Sequence, residues 1–340
     1  MYFLNTNKTQ KIDILLTTTL HWKSRLIRLG TGSDISHASL LVDPHVLIDS
    51  TGDGVQSRNV HRIEYEDECS IHLMRLKNPL NDEQRKRIEI FARDKIGMRY
   101  NKKEAFKSGL AQRGLLSPGD NEQRMFCSRL VAEAYEFAGI NLVENPKYCT
   151  PEDLKRSSLL YEIDDVSCPF PNDIFVSVNS YGRNFDEEMR IVTNRLLNNV
   201  RKFDDGIETL TDIVSFLLKH PEKDEDVLSY YQESGYLTLE DKIYEQTSYL
   251  YDEAQFMVHY MEDDFAKRAE NGASEDTTRY DENLAIFKKL HEETKLKTFD
   301  ALVGLYTKLV NHADLRKKTC EKVLHSLDGA PAFKRMIGLG

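Results

Sequence analysis

Apolar positions change their spacing along this 340-residue chain, from runs suited to strands in the first half to three- and four-residue steps in the second. Ile12-Asp13-Ile14-Leu15-Leu16-Thr17-Thr18 has the aliphatic and β-branched content of a short buried strand. Trp22, Leu26, Ile27 and Leu29 predict a short helix stopped by Gly30-Thr31-Gly32-Ser33. Ser36 to Val42 and Val46 to Thr51 are two strand-forming runs around Asp43-Pro44-His45, which predicts a hairpin. Gly52-Asp53-Gly54 reads as the next turn, followed by short strands over Val55 to Arg58 and Cys69 to Leu76. Asn81 to Gly97 then predicts an amphipathic helix, with Asn81 as its cap and Gly97 as its stop.

The stretch Met125-Phe126-Cys127-Ser128-Arg129-Leu130-Val131 opens a further helix at the cysteine. Leu130, Val131, Ala134, Phe137 and Ala138 recur at helical intervals, and Gly139 ends the pattern. Thr150-Pro151 caps another short helix, and Asn172 to Val178 alternates like a strand. From about Phe185 the pattern is almost wholly helical. Leu250, Ala254, Met257, Met261 and Phe265 form one apolar stripe, and Leu284, Phe287, Leu302, Leu305 and Leu309 belong to another. Glu270-Asn271-Gly272-Ala273-Ser274 interrupts them, predicting an antiparallel helical hairpin with its turn there.

Composition narrows the functional classes. A formal net charge of -10 disfavours a general nucleic-acid or anionic-membrane binder. No apolar run approaches the roughly 18 residues of a membrane span, and Met1 to Gln10 lacks a signal-peptide core, so a cytoplasmic protein without an integral membrane segment is expected. The 5 cysteines are scattered without a C-x-x-C pair, which predicts reduced thiols and neither a disulfide framework nor a zinc site.

Chemistry concentrates at the predicted helix start. A thiol at the positive end of a helix dipole is biased toward thiolate, although a small buried hydrophobe is the commoner role of an unpaired cysteine. In the predicted hairpin His37 and Asp49 fall on adjacent strands as cross-strand or diagonal neighbours. A carboxylate there would fix the imidazole tautomer and strengthen it as a base. Asp49 also suits a turn start in Asp-Ser-Thr-Gly-Asp-Gly, and His37 suits a plain strand histidine.

Ser36-His37-Ala38 on a strand, an acidic residue on the next strand, Gly97-x-x-Tyr100, and Phe126-Cys127-Ser128-x-Leu130-Val131-x-x-x-Tyr135 together resemble the circularly permuted branch of the NlpC superfamily of papain-like cysteine hydrolases. The likeness is nearest to YiiX/YaeF-like proteins and more distant to lecithin retinol acyltransferase. In that branch the histidine strand precedes the cysteine helix, and His37 precedes Cys127 here. The resemblance implies Cys127 as nucleophile, His37 as general base, Asp49 as third triad member, and Tyr100 and Ser128 on the substrate side. Family members more often carry Glu in the third place.

The fold expected from pattern and resemblance together is α+β. A permuted papain-like domain over 1–180, with an antiparallel sheet and the cysteine helix, is followed by an all-α helical bundle over 181–340. The expected activity is amide hydrolysis through a thioester, without metal or cofactor. Acyl transfer to or from a lipid remains open on the same site, so the substrate is a peptide or lipid bearing an amide or ester. A non-catalytic protein that binds a protein partner through its helical domain is the reading from another class.

Overall fold

The computed structural model describes residues 1–18, 35–67, 70–100, 125–169, 184–259 and 263–328. The predicted helix around Trp22 and strand at Asn172 to Val178 lie outside these residues, as does Cys69. The described chain is α+β and forms two compact units, Met1–Val214 and Ser215–Gly340.

The first unit is built on an antiparallel sheet. Strands β2 (Ile14–Thr17), β3 (His37–Asp43), β4 (Val46–Thr51), β5 (Gly54–Asn59), β6 (Ile71–Leu76) and β7 (Leu160–Ile163) assemble in the order β5-β4-β3-β2-β6-β7. A separate small ribbon pairs β1 (Phe3–Leu4) with β8 (Ser167–Cys168). Pleat alternation sends Ile14, Leu16, Ala38, Leu40 and Ile48 into one core cluster, and Leu15, Leu41, Leu47 and Leu73 into another. Both faces are therefore covered. This accounts for the unbroken apolar run Ile14-Leu15-Leu16 in a strand where one-sided burial would have required alternation.

Two helices pack on the Leu40 face of the sheet. Helix α1 (Asp82–Asp94) starts from a capping box in which Asn81 and Gln84 satisfy each other's backbone N–H groups. Helix α2 (Cys127–Phe137) is the cysteine helix, and nearly all of it is buried against β3, β4 and α1. Gly97 lies beyond the end of α1 at φ +92°, and a Cβ there would stand 2.2 Å from Leu197 Cδ1. It is thus a contact glycine against helix α4 (Phe185–Val200) as well as a stop. Between them, helix α3 (Pro151–Lys155) carries the expected Thr150 cap, completed by Asp153.

The second unit is helical: α6 (Asp224–Ser234), α7 (Leu239–Gln246), α8 (Glu253–His259), α9 (Asp263–Thr294) and α10 (Lys297–Asp328), with α5 (Leu210–Lys219) at the boundary. Its long hairpin turns elsewhere than the pattern predicts. Helix α9 runs straight through Glu270 to Ser274, and the reversal comes at Lys295, whose φ is 61°. A helical glycine costs only about 1 kcal/mol against alanine, which one soft break cannot turn into a helix end. The start of α10 is instead capped from afar: Asp224 accepts the N–H groups of Lys297 at 2.6 Å and Thr298 at 3.0 Å. Phe287 facing Phe299 and Tyr280 facing Tyr306 show that α9 and α10 run antiparallel. Among the described residues no helix is long and apolar enough to cross a membrane.

Candidate active site

Strand register assembles the site. Ser39 of β3 lies opposite Asp49 of β4, so His37 is the diagonal neighbour of Asp49 on the same face. Its Nε2 stands 3.1 Å from Asp49 Oδ2. On the other flank Asp49 pairs with Gln56 and Leu47 with Arg58, which makes Arg58 the diagonal neighbour across β5. Arg58 Nη1 donates to the same Oδ2 at 3.2 Å. A basic, an acidic and a second basic side chain thus form one oblique row over three strands.

Cys127 reaches this row at the end of the sheet where β3 begins. The chain entering α2 is held by the hydroxyl of Ser50 and by a backbone bridge. Ser50 Oγ donates to the Met125 carbonyl at 2.8 Å, Met125 N–H donates to the Arg99 carbonyl at 3.1 Å, and Tyr100 bridges to Met125. Phe126 occupies the N-cap without a side-chain hydrogen bond, so no side chain of its own caps the first N–H groups of α2. The segment carrying Tyr100 is fixed in turn. Val55 N–H donates to the Met98 carbonyl at 2.9 Å, while Arg99 is clamped by Glu208 and Asp205. Gly54, at φ +103°, permits that approach, since a Cβ would stand 2.7 Å from the Met98 carbonyl oxygen.

Charge follows from this geometry. Burial opposes ionisation of Cys127, but the His37 charge and hydrogen bond outweigh it, helped by the backbone N–H groups of Ala38 and Ser128, and the thiol pKa falls below its ordinary value. Burial likewise works against a charged His37. The Cys127 thiolate and the hydrogen bond to Asp49 overcome it and push the imidazole up to about 10. Asp49 is 1% exposed, yet His37 and Arg58 together hold its carboxyl below the usual range against the pull of burial. The three shifts all run in one direction, toward thiolate, imidazolium and carboxylate. With Nε2 engaged by Asp49, Nδ1 is the ring nitrogen left for the sulfur.

The remaining predicted residues have separate positions. Tyr100 is half-buried, and burial with the Cys127 charge raises its phenol well above the ordinary value. Ser128 is buried with its hydroxyl turned inward, donating to the Cys149 carbonyl at 2.8 Å. What it offers the sulfur is its backbone N–H. Arg58 and Ser50 were missed because neither stands out by type; the register set by Gly52-Asp53-Gly54 is the signal that would have found Arg58. Among the described residues no group of three or more His, Cys, Asp or Glu side chains converges in a way that could hold a metal.

Comparison with solved structures adds a likeness. The chain is similar to the crystal structure of the metalloprotein YiiX from Escherichia coli O157:H7, at 17% sequence identity and a TM-score of 0.30, over 46% of this chain and 97% of that one. No family profile matches the sequence, and no curated protein does.

Proposed function

We propose that the protein is a cysteine hydrolase of the amidase or peptidase type, with its catalytic residues in a permuted papain-like domain over 1–180 and a helical domain over 181–340. The observation that carries this is the continuous contact from Cys127 to His37 to Asp49, with the sulfur at an uncapped helix start. The Cys127 thiolate attacks an amide or ester carbonyl carbon, and the carbonyl electron pair moves onto oxygen. N–H groups at the start of α2, including that of Cys127, receive the oxyanion, with the neutral Tyr100 hydroxyl as a further donor. As the oxyanion collapses, the bond to the leaving group breaks and the His37 imidazolium supplies its proton. His37 then takes a proton from water as the water attacks the thioester, and Cys127 departs as thiolate. An acyl acceptor other than water would use the same intermediate, which makes acyl transfer the nearest variant. The substrate of this reading is a peptide or lipid bearing an amide or ester, met in the cytoplasm, and the helical domain is available to a protein partner.

Alkylation with limiting iodoacetamide across pH, followed by peptide mapping, tests this. The expected result is selective modification of Cys127 below about pH 7, reduced about 100-fold in His37→Ala. Equal labelling of several cysteines with an ordinary thiol profile would favour a non-catalytic partner-binding protein. Mass measurement of an acyl adduct trapped on Cys127 would then identify the substrate class.

A further inference from the structure

We propose that Arg58 is a positioning residue of this site, holding the Asp49 carboxylate ionised and aimed so that Asp49 can in turn hold His37. This rests on the Cys127–His37 reading above and extends it outward by one side chain.

Asp49 presents a problem that His37 alone does not solve. Its Oδ1 is buried and has no hydrogen-bond partner among the described residues, while Oδ2 receives both His37 and Arg58, at 3.1 and 3.2 Å. A buried carboxylate with one bare oxygen is costly unless positive charge lies close to it. Were the imidazolium its one counter-ion, the carboxylate would lose that charge each time His37 gave up its proton during turnover. Arginine does not deprotonate in this range, so Arg58 keeps the carboxylate charged through both halves of the cycle. It also shares the oxygen that must receive Nε2–H, and so fixes the direction from which the imidazole is held.

Among the described residues the groups around Asp49 are few. His37 faces it from β3 and Arg58 from β5, while the Tyr65 phenol, raised first by burial, also feels its charge. Cys127 stands beyond His37 at the start of α2. On its outer side Arg58 lines a polar cavity of 220 Å³ with Arg62, Arg190, Asp53 and Asp186, and the Asp186 carboxylate takes the N–H of Asn59 at 2.8 Å. Arg58 thus spans from that cavity to the buried carboxylate, with a side chain 36% exposed against 1% for Asp49. A surface arginine serving strand solubility alone would have no reason to reach a carboxylate so deeply buried.

Arg58→Gln and Arg58→Lys, compared with wild type, test the assignment by two readings. The first is the ¹³C titration of the Asp49 carboxyl; the second is the pH profile of Cys127 alkylation by iodoacetamide. In Arg58→Gln the Asp49 titration should move upward, and alkylation at about pH 5.5 should fall about fivefold or more, with less than about a twofold change at pH 8. Arg58→Lys should recover at least about half of that loss, because it restores charge without the planar fork. A lower melting temperature with both titrations unmoved would make Arg58 merely structural and overturn the proposal. So would an Arg58→Gln protein with equal or faster alkylation at low pH, since Arg58 would then be competing with His37 for Oδ2. If wild-type Cys127 itself titrates as an ordinary thiol independent of His37, the proposed hydrolase falls, and the Asp49 titration alone still decides whether Arg58 holds the carboxylate.

Discussion

Cys127 and Cys149 are two buried thiols of one unit, each at the entrance to a helix, and their acidities move in opposite directions. Cys127 begins α2 and is 7% exposed; Cys149 precedes the Thr150 cap of α3 and is 3% exposed. Burial favours the neutral thiol at both. At Cys149 the Asp153 carboxylate, brought close by the α3 capping box, adds to burial and drives the thiol well above its ordinary value. At Cys127 an imidazolium and two backbone N–H groups face the sulfur, and the shift reverses. Helix position is therefore common to both, and the sign is decided by what stands opposite. The Asp153 carboxylate of the α3 capping box thus adds to the burial that keeps its neighbouring thiol neutral, whereas α2 begins without a side-chain cap and presents its N–H donors to the sulfur.

The sharpest way to break this contrast is to remove the thiolate and watch the imidazole. In Cys127→Ala the His37 titration, read by NMR of the ring, should fall from about 10 by more than about one unit, because burial then meets only Asp49 as opposition. Stability should follow. With the folded value raised above 6.5, His37 contributes stability that is complete below about pH 6.5 and is lost as pH rises toward about 10. That alkaline loss should begin at lower pH in Cys127→Ala, as measured by urea unfolding across pH. An imidazole titrating unchanged in the variant would mean that the sulfur carries no charge beside it.

A smaller effect is expected from Asp49→Asn, which keeps an acceptor for His37 but removes the charge. Alkylation of Cys127 at neutral pH should fall about tenfold, between the loss for His37 and the changes expected at Arg58. The stability linkage has the opposite sign to that of His37. A carboxyl depressed below 3.8 contributes stability above that pH and loses it as pH falls through the folded value. The gap between wild type and Asp49→Asn should therefore be constant at neutral pH and close under acid. A gap that persists in strong acid would mark Asp49 as a packing residue.

Local pattern made the hairpin legible, and with it the diagonal between His37 and Asp49, since both depend on alternation over a few residues around one turn. The start of α2 was legible for the same reason, because its apolar spacing begins at the cysteine. What could not be read locally was whatever a distant residue decides. Asp224 sets the true turn of the long helical hairpin from 73 positions away, so Gly272 looked like the break and Lys295 did not. Ser50 reaches Met125 across 75 positions, and Arg99 reaches Glu208 across 109, yet both ties hold the backbone on which the candidate site stands. Ser128 belongs with these. The resemblance implies a place for it on the substrate side, and the Cys149 carbonyl, 21 positions on, takes its hydroxyl.

The smallest expected effect tests the comparison from the side of its inert member. Cys149→Ser changes a buried thiol near the reactive sulfur while leaving the backbone carbonyl that accepts the Ser128 hydroxyl, so the α2 start should keep its position. Cys149 is neutral at any working pH, and a serine in its place is neutral as well. The charges that set the Cys127 thiolate are thus unaltered, and its alkylation rate should stay within about twofold of wild type from about pH 5.5 to 8. The cost should appear in stability alone, at about 1 kcal/mol, because a serine hydroxyl keeps the Pro146 carbonyl that Cys149 Sγ faces at 3.4 Å but packs less apolar volume, read as a lower urea midpoint with an unchanged slope. A larger change in Cys127 reactivity would show that Cys149 acts back on the sulfur whose charge helps to raise its own thiol, and the opposite shifts would then belong to one coupled pair.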